Sequence, residues 1–187
     1  MSDANLLTKQ LMRAKRLKAQ SIIGAATTAG VIIGLIPIPF SDTILLTKAE
    51  DMEVNSIASI YGIAKDDKSR EFIKKIIEVA TAGTVIKTAT STLKAIPGVN
   101  LSAGVVNAII AGCIVAVIGE SSILAFEQIS TGKKTLDDLE WLQKLVESKF
   151  ANRFFKSIYK SFGQISEHAG KEQIIQTIKD TFMMRTA

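Results

Sequence analysis

Two stretches of this chain, residues 19–41 and 95–119, carry no charged side chain, and each holds a proline corner. Each is about long enough to cross a bilayer as helix. A chain that separates apolar and charged residues this sharply must bury both runs, in lipid or in its own core. The first run ends in Gly34-Leu35-Ile36-Pro37-Ile38-Pro39-Phe40-Ser41-Asp42, and the second opens with Ala95-Ile96-Pro97-Gly98-Val99-Asn100-Leu101-Ser102. Proline removes a backbone donor and bars further helix, and the Ser, Asp or Asn that follows can cap the next one. Pro37, Pro39 and Asp42, and then Pro97 and Gly98, therefore mark the corners of two helical hairpins.

With only three prolines in 187 residues, the expected fold is all-α. It is a bundle of five to six helices, two proline-broken hairpins around a Gly/Ala-rich central helix. Residues 1–132 read as this hairpin core, and residues 133–187 as a basic amphipathic C-terminal arm. The mean hydropathy is positive, +0.26, although 22% of residues are charged. The net charge of +5 is modest, but its placement is informative. Lys9, Arg13, Lys15, Arg16 and Lys18 precede the first apolar run with no acid among them, which would keep that end cytoplasmic if the run inserts. Pro37-Ile38-Pro39-Phe40 is a poor signal-peptidase site, so cleavage is not expected. A single cysteine, Cys113, excludes an intrachain disulfide and fits a reducing compartment.

In chain order, residues 5–18 read as an amphipathic helix with Leu7, Leu11, Ala14 and Leu17 on its apolar side, running unbroken into the apolar run. There Gly30 and Gly34 form a small-xxx-small pair that lets another helix approach closely, in a membrane or in a core. Ser41 or Asp42 caps a helix to Tyr61, ended by Gly62, with Ile44, Leu45, Met52, Ile57, Ile60 and Tyr61 as its apolar side. Its Glu50, Asp51 and Glu53 read as a solvated acidic face rather than a metal site, because carboxylates this close repel unless an ion compensates. After a polar loop with Asp66, Asp67 and Ser69, a helix is expected from about residue 70 to 94. Gly104, Ala108, Gly112, Ala116 and Glu120 then recur every fourth residue along a helix from 102 to about 130, a small-residue stripe suited to a central, gripped helix. Thr135 is placed to cap a long amphipathic helix through Leu142, Val146, Phe150, Phe154, Ile158 and Phe162. The charges of its middle, Lys149, Arg153, Lys156 and Lys160, are all positive, as on a surface that meets anionic lipid or a partner groove. A short helix is expected after it, from Lys171 to Met184.

Chemistry-bearing groups are sparse. His168 stands alone in a polar turn, no metal-ligand spacing occurs, and Lys87-Thr88 lacks the preceding glycine and strand of a phosphate loop. No catalytic residue, metal or cofactor is expected. Nucleic-acid binding is not expected either, since no motif interleaves cations with exposed aromatics outside the arm.

Residues 36–42, Ile60-Tyr61-Gly62, and Leu93-Lys94-Ala95-Ile96-Pro97-Gly98-Val99 followed by a Gly/Ala-rich helix ending near Gly119 and Phe126-Glu127 resemble, in order and spacing, a bacterial helical family called domain of unknown function 697. The resemblance covers about residues 15–132. It implies company with Era-like or dynamin-like GTPase domains or a place in inner-membrane proteins. This chain has no Walker A sequence, so a GTPase would act in trans, and Val99-Asn100-Leu101 supplies less glycine than family members usually show.

The leading expectation is a non-enzymatic, membrane-associated helical module working with a GTPase-type partner, through anionic lipid, with homo-oligomers as a further partner class. It would sit in the bacterial cytoplasm or on the cytoplasmic face of the inner membrane, integral if the runs insert. Two alternatives stand beside it: a soluble scaffold whose apolar segments form its own core, and a membrane-permeabilising effector that inserts its hairpins.

Overall fold

The computed structural model describes residues 3–35, 41–81, 91, 103–137 and 139–145, together with residues 160, 172, 173, 176, 177 and 180. Among the described residues five helices can be bounded: α1 (Asp3–Leu35), α2 (Ser41–Tyr61), α3 (Asp67–Thr81), α4 (Ala103–Ser130) and α5 (Glu140–Leu145). The fold is all-α, and no strand occurs among the described residues. The helix expected to reach residue 94 is described as α3 only to Thr81. Pro37, Pro39, Pro97 and Gly98 lie outside the described residues, as does the side chain of Asp42.

Helix α4 is the centre, packed by α1, α2 and α3, with the α1 seam the most extensive. The two run antiparallel: Arg16 meets Glu127, Ile23 lies at Gly119, Gly30 at Val115 and Gly34 at Ala108. The seven-residue steps from Arg16 to Ile23 to Gly30 keep one stripe of α1 on its neighbour, as in a coiled-coil seam. A Cβ on Gly34 would stand 2.7 Å from the Ala108 Cα, and one on Gly30 would stand 2.9 Å from Val115 Cγ2. These two glycines therefore set how close the helices come. Gly112 is buried within α4, whereas a Cβ on Gly104 would meet nothing within 4 Å.

Helix α3 is bounded and oriented by its own sequence. Asp66 caps it, its Oδ1 accepting the Ser69 N–H at 2.8 Å. Phe72, Ile73, Ile76 and Ala80 bury one side, and the charges face water. A ladder of aromatic contacts ties the elements together, Tyr61 to Phe126 at 6.4 Å, Phe126 to Phe72 at 6.2 Å and Phe72 to Trp141 at 6.3 Å between ring centroids. Helices α2 and α4 end alike. Gly62 and Gly132 take positive φ, and the next N–H of each reaches back, Ile63 to the Ala58 carbonyl and Lys133 to the Gln128 carbonyl.

The helix that follows α4 does not begin where Thr135 would cap it. Residues 131–137 are turn and coil, and α5 opens at Glu140 with the Leu142 N–H on the Leu139 carbonyl. Asp137, expected in the first helical turn, instead pairs with Lys68 of α3 at 2.9 Å.

Candidate functional site

Around α1, at about 100° per residue, Met12, Arg16, Ala19 and Ile23 fall on one narrow side, and Leu6, Leu7, Leu11 and Leu17 spread over the opposite one. The structure uses the first side for packing. All four leucines are more than half exposed, so the apolar side read from sequence at Leu7, Leu11 and Leu17 is not the core face. Lys9, Arg13 and Lys18 are exposed; Lys18 falls between Leu7 and Leu11 and Arg13 beside Leu6, while Lys9 lies nearer Arg16, and residues 5–18 contain no acid. The result is an apolar and basic surface on the outside of the bundle.

At the base of that surface one polar cluster fastens three helices. Glu127 of α4 accepts from Arg16 Nε at 2.8 Å and Nη2 at 2.6 Å, and from the Tyr61 hydroxyl of α2 at 3.1 Å. Lys15 donates to the Tyr61 carbonyl at 3.4 Å and stands 5.8 Å from its ring centroid. The hydrogen bond to Glu127 raises Arg16 above the usual guanidinium range, and burial, followed by the Glu127 charge, pushes the Tyr61 phenol up. Arg16 holds its carboxylate bidentately, the geometry that makes such a pair specific. Outside it lies an open groove of about 320 Å³ between Met12, Arg13 and Arg16 on one side and Glu127, Gln128 and Lys133 on the other.

A second acidic feature lies deeper. Glu50 and Glu53 are 5% and 2% exposed, which corrects their reading as a solvated face; only Asp51 of that trio is exposed. Glu53 sits against Gly119 and Ile23, where any Cβ on Gly119 would collide with its Oε1. Among the described residues neither of its oxygens has a hydrogen-bond partner, and the buried hydroxyls of Thr27 and Ser121 are likewise unpartnered. Burial, then the neighbouring carboxylates Glu50 and Glu120, holds Glu53 well above the usual carboxylate range. Burial, then Asp51, raises Glu50 to about 7. Among the described residues no group of three or more His, Cys, Asp or Glu side chains is placed to hold a metal ion.

Of the basic residues assigned to the arm, Lys160 is helical and exposed, while Lys149, Arg153 and Lys156 lie outside the described residues, as does His168. Cys113 is fully enclosed in α4, and burial pushes its thiol up. Sequence reasoning missed the Arg16, Tyr61 and Glu127 cluster, since nothing local marks partners so far apart in the chain. It could have found the buried carboxylates: Val54, Ile57, Ala58 and Tyr61 mark the inner face of α2, and Glu50 and Glu53 share it.

Fold and site together define an all-α helical module built round one apolar helix. The chain belongs to the family described as a domain of unknown function (DUF697), whose model matches residues 4–152. That match includes α5 and so extends beyond the core boundary drawn at residue 132. No curated protein and no solved structure matches the chain.

Proposed function

We propose that the chain is a non-enzymatic helical module that associates with an anionic membrane surface through the N-terminal half of α1, its apolar segments serving as its own core. The observation that carries this reading is the outward leucine and cation face of residues 6–18. Apolar side chains entering the headgroup boundary, with cations beside them, bind anionic bilayers at roughly 1 kcal/mol per Lys or Arg. Arg13 and Lys133 at the rim of the adjoining groove add positive charge there.

Among the described residues two helices, Asn5–Leu35 and Gly104–Ser130, are long and apolar enough to cross a membrane. In the first, 28% of the most apolar window is buried in the bundle, and in the second, 83%. A core helix meets the same criterion, and the enclosure of α4 favours that role. The module would act with a protein partner, for which the family resemblance suggests a GTPase in trans.

Sedimentation with vesicles tests the reading. The full chain is expected to pellet with phosphatidylglycerol vesicles, to stay largely unbound with phosphatidylcholine, and to lose binding about tenfold or more in Leu7→Ser/Leu11→Ser and in Lys9→Glu/Arg13→Glu. Alkaline carbonate should release it from cell membranes. Carbonate-resistant retention would place α4 in lipid, and equal pelleting of all variants would remove the α1 face from the account.

A further inference from the structure

The buried carboxylates of α2 have no part in a surface-binding role, and their placement calls for its own explanation. Glu50 and Glu53 stand three residues apart on the inner face of α2, the first 5% and the second 2% exposed. Glu53 reaches the seam where α1 and α4 meet, with Ile23 on one side and the bare backbone of Gly119 on the other. Its two oxygens have no hydrogen-bond partner among the described residues.

Among the described residues, the charges that bear on Glu53 are of its own sign. Its own helix contributes Glu50, and α4 contributes Glu120. Helix α1 brings apolar Ile23 to the contact, and its cations Lys15 and Arg16, about two turns away, are engaged at Tyr61 and Glu127. The cations of α3 that form ion pairs do so at the surface, Lys68 with Asp137, Arg70 with Asp67 and Lys75 with Glu78. A neutral carboxyl fits this seam. An ionised one would be an uncompensated charge away from water, and the chain escapes that cost by protonation or by moving the helix outward.

We propose that Glu53, with Glu50 beside it, is a proton-dependent latch: protonated, it lets α2 close on the α1–α4 seam, and ionised, it drives α2 off and uncovers apolar α4. The raised position of both groups, Glu50 at about 7 and Glu53 well above the usual range, agrees with the closed form being the protonated one. In the closed state these acids keep protons that the open state has already lost, so closure is strongest at or below the ordinary carboxylate range. It weakens as pH rises, by up to about tenfold in the opening equilibrium per pH unit for each group, until the closed-state value is passed.

Hydrogen exchange of the full chain, followed by peptide mass spectrometry between pH 5 and 9, reads the latch directly. Comparing wild type with Glu53→Gln at each pH cancels the intrinsic pH dependence of exchange. The α2 peptides of wild type are expected to lose protection relative to the variant, with the ratio growing about tenfold or more across the range. Glu50→Gln should remove a smaller part of that growth, centred near neutral pH. Because a buried amide can itself disturb packing, Glu53→Met is the second variant, and the wild-type ratio to it should grow with pH in the same way. A wild-type to Glu53→Met ratio that stays constant from pH 5 to 9 overturns the proposal, and so does a loss of protection confined to α3 with α2 unchanged.

Discussion

Glu127 and Glu53 both meet the interface of α1 and α4, about two turns of α4 apart, and they are treated in opposite ways. Glu127 is half-buried and saturated, with a bidentate arginine from α1 and a tyrosine hydroxyl from α2. Glu53 is more deeply enclosed and has no hydrogen-bond partner among the described residues. The difference teaches that the bundle uses one carboxylate as a fastener and carries the other as a liability that only a proton relieves. The physics is asymmetric. A charge with its partners in place contributes moderately, while a buried group without partners costs the whole of its lost hydration.

The largest effect should come from breaking the satisfied end. Glu127→Ala leaves the Arg16 guanidinium and the Tyr61 hydroxyl without their shared acceptor, and about 3 kcal/mol of stability should go with it. For a chain of this size that lowers a thermal midpoint on the order of 10 °C. A midpoint unchanged within 2 °C, as an order-of-magnitude threshold, would mean that the cluster is not what fastens α1 to α4.

Crowding the unsatisfied end should be next. In Gly119→Ala the new methyl would meet the Glu53 carboxyl and approach Ile23 Cγ1 to 2.6 Å, and overpacking of that kind costs roughly 1–3 kcal/mol. The comparison becomes sharper in a double-mutant cycle. With Glu53→Ala in the background one side of the methyl is vacated, so the Gly119→Ala penalty should shrink. Additive penalties in chemical denaturation would show that Glu53 is not what Gly119 makes room for.

Relieving Glu53 should have the opposite sign. Glu53→Met replaces an unsatisfied buried acid with an apolar chain of similar reach, and stability should rise by about 1–2 kcal/mol. The gain should be smallest near pH 5, where the carboxyl is protonated in the closed bundle, and should increase toward pH 9 as the wild type loses stability. Urea midpoints at the two pH values check the sign; a gain that is larger at pH 5 would contradict it.

The same comparison marks how far the sequence could be read. Glycines at helix ends and proline corners act locally, so the end of α2 at Gly62, the end of α4 near Gly132 and the unbroken run of α1 were all legible. Facing is not local. Met52 reads as part of the apolar side of α2, yet it is 71% exposed, while Glu50 and Glu53, which read as solvated because like carboxylates repel, are buried. In α1, Leu7, Leu11 and Leu17 read as the apolar side of an amphipathic helix, whereas packing selects Ala19, Ile23 and Thr27, whose small or branched side chains suit a glycine-spaced seam. The partner of Arg16 lies 111 residues away, and no spacing rule reaches that far.

Tyr61→Phe should be the mildest change and the most discriminating. It removes the 3.1 Å bond to Glu127 but leaves both arginine contacts, the ring against Phe126 and the Tyr61 carbonyl that Lys15 reaches. The loss should be about 1 kcal/mol. It should also be the same at pH 5 and pH 8, because the tyrosine is held above its usual range by burial and by the Glu127 charge and stays protonated throughout. Set beside Glu53→Met, whose effect should grow with pH, a flat Tyr61→Phe profile would assign the pH sensitivity of the bundle to its unsatisfied end. A Tyr61→Phe penalty that varied with pH as strongly as the Glu53→Met gain would instead mean that the two carboxylates respond as one linked network through α2, and the division between fastener and liability would fall.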